Sequence, residues 1–139
     1  MAVTSTPIFT QTPKIGRAVL DSANTARNGS GTIATAFTAG LDGAYVKKVV
    51  FTSAQAAAAA SSLMVGRVFI SIDGGTTWDL RAEIVIPAVT ASNTVIGSQQ
   101  IINFPDGLVL PASALIGVAI SVYAGVQDRM QVIVEGGDY

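Results

Sequence analysis

From Ile15 to the C-terminus the chain is a series of short runs rich in Val, Ile, Thr and Phe, each cut off by Gly, Asn, Asp or Pro. Apolar residues three and four apart would mark a helix face; apolar residues at every second position mark a strand with one buried side. The runs follow the second rule. Val68, Ile70 and Ile72 alternate before one turn, and Trp78, Leu80, Ala82, Ile84 and Ile86 alternate after it. Strands are expected over 15–20, 32–39, 44–52, 64–72, 78–86, 95–103, 115–124 and 130–135. Many short strands at regular spacing define an all-β, single-domain antiparallel β-sandwich, with a jelly roll of about eight strands as the preferred arrangement; strand count alone does not separate that from other sandwiches.

The punctuation has its own chemistry. "RNGSG" at 27–31 and "GLDG" at 40–43 place Gly beside Asn or Asp, where positive φ is tolerated. "FPDG" at 104–107 is expected to bend the chain between Phe104 and Leu108. Asn28 to Ser30 also spells a glycosylation sequon, but the segment reads first as a turn. "AQAAAAASS" at 54–62 favours helix by propensity yet has only Ala on every face, so it is expected to be a loop between strands. "GLVLPASALIGVAISVYAGVQ" at 107–127 is uncharged and long enough to span a bilayer, but Pro111 breaks it and its β-branched content suits two buried strands.

Half the residues are hydrophobic and only 12% are charged, against about 25% in an average soluble domain. A surface so poor in charge exposes apolar patches, and such patches mark contacts with other molecules, so an oligomer or larger assembly is expected. The net charge of −1 provides no electrostatic footprint for nucleic acid. The chain contains no Cys and no His, which removes disulfides, thiolate nucleophiles, the commonest general base and the commonest transition-metal ligand. Neither a catalytic function nor a cofactor is expected.

One motif invites an enzymatic reading. "SIDGGTTW" at 71–78 resembles the Asp-box hairpin of sialidases and other β-propeller proteins that process glycans. A propeller needs at least four blades of about 40–50 residues, more than 139 residues supply. The residues have folding roles of their own: Asp73 accepts hydrogen bonds from turn N–H groups, Gly74 and Gly75 provide unusual backbone angles, and Trp78 covers the turn. Asp79 and Glu83, which with Asp73 could form a carboxylate pair for glycoside hydrolysis, alternate with Arg81 on the polar side of their strand and read as a solvated face with cross-strand pairing to Arg67. Asp-Gly pairs at 42, 73 and 106 offer oxygen ligands for calcium, but no D-x-D-x-D-G series occurs and Asp-Gly is an ordinary turn pair.

The first thirteen residues, with Pro7 and Pro13 among Thr and Ser, read as an extended arm preceding a sandwich domain over 14–139. Ile8 and Phe9 have no local partner, so the arm is either loose or docked on another molecule. Pro7, Ile8, Phe9, Pro13 and the terminal Tyr139 are the candidate partner contacts. The start "MAVTSTPIFTQTPK" has neither a basic stretch nor an apolar core of the secretory type, so synthesis in the cytoplasm is expected.

Taken together, "TPIFTQTPKIG" (6–16), "SANTARNGSGTIATAFTAGLDGAYVKKV" (22–49), "GRVFI" (66–70), "EIVIPAVTAS" (83–92), "LVLPA" (108–112) and "VIVEGGDY" (132–139) resemble a family of small virion proteins of tailed bacteriophages taken as capsid decoration, or cement, proteins. The resemblance implies a non-enzymatic structural protein of the virion: a jelly roll or related sandwich that forms a homotrimer on the capsid exterior, binds the major capsid protein and stabilises the shell. The relatives tend to have Thr and Gly where this chain has its Ala run, and the Asp-box spelling is also a departure. The alternative, from a different class, is a glycan-binding module of a phage head or tail fibre using Trp78 or Tyr45 as a stacking platform; burial of Trp78 would count against it.

Overall fold

The computed structural model describes residues 12–55 and 59–139. Eight strands follow in order: β1 (Thr12–Leu20), β2 (Ala34–Thr38), β3 (Ala44–Ser53), β4 (Met64–Ser71), β5 (Asp79–Ile86), β6 (Gln99–Leu110), β7 (Leu115–Ile120) and β8 (Met130–Asp138). They form two four-stranded antiparallel sheets, ordered β1-β8-β3-β6 and β2-β7-β4-β5. The all-β sandwich expected from the alternation is the fold observed. Within the sheets, β1 pairs with β8, β2 with β7, β3 with β6 and β4 with β5. The stretch at 107–127 divides between the end of β6 and β7, as its β-branched residues require.

The core lies between the sheets. Val46, Val49, Phe51, Met130, Val132 and Val134 line it from one side; Met64, Val68, Ile86, Ile116, Val118 and Ile120 line it from the other. Each such side chain, taken fully out of water, contributes about 1.5–3 kcal/mol. At one margin β1 crosses β2 so closely that a Cβ on Gly16 would strike the Ala36 carbonyl, and the Lys14 ammonium bonds the Thr38 carbonyl and, at 3.1 Å, Asp138. That margin is closed by backbone contact, which only Gly at position 16 permits.

Three local readings of the sequence change. The strand expected at 95–103 instead starts at Gln99 and continues through "FPDG" to Leu110. The bend is there, but as a bulge: Lys48 faces Asn103 and Val46 faces Leu108, so the step from 46 to 48 on β3 is matched by the step from 103 to 108 on β6. Pro105 sits inside this widened loop, where no ladder hydrogen bond is asked of it. Second, β5 begins at Asp79, one residue after Trp78, and a register shift at Val68/Phe69 leaves Arg81 as an extra residue. Leu80 therefore faces Phe69, whereas Ala82 faces Val68. The alternation expected to run unbroken from Trp78 to Ile86 changes face at Arg81. Third, β1 starts at Thr12, so Pro13 is paired with Gly137 inside the sheet. Pro is tolerated there because β1 is an edge strand of its sheet.

Candidate assembly surface

The β4–β5 turn is built as its residue types require. One oxygen of Asp73 accepts from the Thr77 N–H and the Ser71 hydroxyl, both at 2.8 Å, and the Ser71 oxygen in turn accepts from the Gly75 N–H at 2.8 Å. Gly74 and Gly75 adopt φ of 76° and 92°, angles that side chains resist. The Thr77 N–H and then the Ser71 hydroxyl hold the Asp73 carboxyl below the usual carboxylate range. Trp78 is half-buried, its ring lying over Gly117 of β7 and beside Gly75. Gly117 has no side chain because Ile33 and the indole occupy the space above it.

The other acidic groups are similarly engaged. Glu83 receives Arg27 through two hydrogen bonds at 2.9 Å and Arg67 through one at 2.8 Å. Arg67 is only 7% exposed and also donates to the Asn24 carbonyl at 3.0 Å. The hydrogen bonds from Arg27 and Arg67 lower the Glu83 carboxyl to about 2. The cross-strand pairing to Arg67 is as the alternation indicates. Arg81, expected on the same polar side, instead lies 5.2 Å from the Phe104 ring centre, where its cation faces the negative π-cloud. Among the described residues no cluster of three acidic groups is placed to hold a metal ion.

Sequence reasoning did not find Asn24 or Asp128. The Asn24 side chain donates to the carbonyls of Ser30 and Thr32, at 2.9 and 3.0 Å, and its N–H bonds the Ile120 carbonyl. These bonds lay segment 21–33 over the outer face of the β2-β7-β4-β5 sheet, where Phe69 and Ser71 have no exposed surface. Asp128 is fully buried and accepts from Ser62 N, Ser62 Oγ and Ala124 N at 2.6, 2.9 and 2.7 Å. Burial alone pushes its carboxyl up, and these three bonds together outweigh that, leaving it below its ordinary value. No periodic pattern announces either residue, since each acts through loop backbone.

The outer face of the β1-β8-β3-β6 sheet is arranged differently. Register places Arg17, Ile133, Val50 and Ile101 in one row across the four strands, with Ile15, Glu135, Lys48 and Asn103 in the next. Ile15 is 70% exposed, Ile101 41% and Ile133 38%. A Lys48–Glu135 ion pair at 3.1 Å borders this apolar row. A shallow concavity of about 290 Å³ runs between β1 and β8, lined by Ile15, Arg17, Gln131 and Ile133. Farther along the same face, Pro13, Gly137, Tyr45 and Val109 form another row. Of the candidate contacts, Pro13 is thus on this face and exposed. Tyr139 is partly buried, with its N–H bonded to the Gly43 carbonyl at 3.2 Å. Pro7, Ile8 and Phe9 lie outside the described residues. Among those described, no helix is long and apolar enough to cross a membrane.

No protein-family model and no curated protein sequence matches this chain. Among solved structures it is similar to a chain of the T13 IBDV viral particle, with 18% identity and a TM-score of 0.35, over 97% of this chain and 35% of that one. A chain of infectious bursal disease virus Gt strain is similar at 15% identity and a TM-score of 0.34, over 98% and 34% respectively. The protein therefore spans about a third of the length of these chains. At such TM-scores neither likeness assigns a function.

Proposed function

We propose that this protein is a structural component of a virion, a capsid decoration protein of the tailed-phage type that self-associates as a homotrimer and stabilises the shell by binding the major capsid protein. The observation that carries the reading is the exposed apolar row on the outer face of one sheet, where Ile133 and Ile101 flank the buried Val50 and Ile15 stands beside them, when segment 21–33 covers Phe69 and Ser71 on the outer face of the other. Burying such a row against a neighbouring subunit stabilises the assembly by mass action, with no titratable centre involved. In finer detail the sandwich is read as a jelly roll. Its support is the nested pairing of first strand with last, second with seventh, third with sixth and fourth with fifth, which is how a ribbon of antiparallel strands winds into two Greek keys.

The glycan-binding alternative would use Trp78 and Tyr45, and each ring already lies against a glycine, Gly117 and Gly107 respectively. The test is co-sedimentation with shells lacking the protein, combined with its location in a reconstruction of the virion. Wild type is expected to bind shells, and a folded Ile101→Glu/Ile133→Glu double variant to lose binding. Shell binding that survives this double variant, or a reconstruction without density for the protein, would contradict the proposal.

A further inference from the structure

Strand direction brings the connections at 54–55 and 59–63, 87–98 and 121–129 to one end of the sandwich, where segment 21–33 also begins before it runs over the outer sheet face as far as Trp78. The first three are tied together by hydrogen bonds. Ser61 N and Oγ donate to the Val89 carbonyl at 2.9 and 3.0 Å, and Val89 N donates back to the Ser61 hydroxyl at 2.9 Å. Ser62 is held by the buried Asp128, Ser53 N bonds the Ser98 carbonyl at 2.8 Å, and Ala54 N bonds the Arg129 carbonyl at 2.9 Å. On this braced platform Leu63, Val95, Ile96 and Val126 are exposed by 64%, 47%, 88% and 52%.

The platform is almost without charge. Residues 59–63 and 87–98 contain none, and 121–129 contain only the buried Asp128 and Arg129. Asp21, where segment 21–33 begins, is exposed at the margin of the same end, while the opposite end carries Lys14, Asp42, Asp73 and Asp138. This asymmetry selects the occupant. A contact between identical copies sets a patch against itself or a close neighbour, so a surface of one charge sign repels its own copy. A charged partner docked here would lose water from its charges and find only Arg129 to pair with. An uncharged, braced, apolar platform meets neither obstacle against another platform, and its bracing lowers the ordering cost of association.

We propose that the end formed by 59–63, 87–98 and 121–129 is the surface through which this chain binds a second copy of itself, with Ile96 and Leu63 central to the contact. This deepens the assembly role and rests on its self-association part; shell binding through the outer sheet face is independent of it.

The test is sedimentation velocity on the full chain across a wide concentration range, with circular dichroism to confirm the fold of each variant. Wild type is expected to sediment as an oligomer, Leu63→Asp/Ile96→Asp as a single chain, and Leu41→Asp at the opposite end as wild type. Because the chain has no Cys, an Ile96→Cys variant provides a second readout: air oxidation is expected to trap linked copies, whereas Leu41→Cys stays unlinked. A wild type monomeric at all concentrations, with Ile96→Cys unlinked, would overturn the inference while leaving shell binding to stand or fall by its own assay. An oligomer that persists in Leu63→Asp/Ile96→Asp and dissociates in Ile101→Glu/Ile133→Glu would overturn it too, assigning self-contact to the sheet face.

Discussion

Asp73 shows how a motif that resembles part of an enzyme family acts here through local geometry. Its side chain ties Ser71 and Thr77 across the turn, so Asp73→Ala removes the acceptor that orders both, and the expected result is a thermal midpoint lower by a few degrees. Asp73→Asn keeps an acceptor oxygen and is expected to fall between the two. Calorimetry that finds Asp73→Ala as stable as wild type would remove the clasp from the stability argument. Glu83 responds to pH. Its ordinary value of 4.5 is lowered in the fold to about 2, so the stability linked to it is complete above about 4.5 and is lost as the pH falls toward 2. Glu83→Gln is expected to be less stable than wild type at neutral pH and to show a flatter acid limb between those values. Urea midpoints taken across that range provide the check, and parallel acid limbs in the two proteins would contradict it.

At the scale of elements, the β6 bulge couples one glycine to one ring. Gly107 has φ 78°, and a Cβ there would run into the Tyr45 ring. An L-residue in that backbone region costs about 1–2 kcal/mol before any clash. Gly107→Ala is therefore expected to destabilise by about 2 kcal/mol or more. In a Tyr45→Ala background the clash disappears, and the same change is expected to cost only about 1 kcal/mol. Equal costs in both backgrounds, measured by urea denaturation, would show that the ring is not the obstacle. This bulge also marks where sequence reading runs out. Strands β3, β4, β7 and β8 were legible because their inward positions alternate Val, Ile, Phe and Met. β6 was cut short at Asn103 because Pro105 and Asp106-Gly107 read as an ending; in the fold the same residues form an excursion from a strand that then resumes. The face change at Arg81 was hidden for a related reason, since an inserted residue alters the period by one without altering composition. Segment 21–33 and Asp128 had no period to detect, because backbone carbonyls and N–H groups do the holding.

For the whole molecule, the arrangement of charge matters more than its small total. The net charge is −1, and most charged residues lie along the strands or at the end carrying the β4–β5 turn, with Arg129 the one exposed charge on the braced platform among the described residues. Several of these charges are drawn into local pairs: Arg67 and Arg27 with Glu83, Lys48 with Glu135, and Lys14 with Asp138. An association made through the platform brings together no opposite charges of its own, Arg129 being its one exposed charge, and so offers no ion pair for salt to screen. Raising sodium chloride to about 1 M shortens the screening length to about 3 Å, enough to weaken contacts held by surface ion pairs. Here the oligomer is expected to keep its mass, and sulfate, which favours burial of apolar surface, is expected to tighten it. Light scattering across a salt series separates the cases. Dissociation with rising salt would mean that Arg17, Lys47 or the acidic end forms the contact, and the uncharged platform would then face solvent.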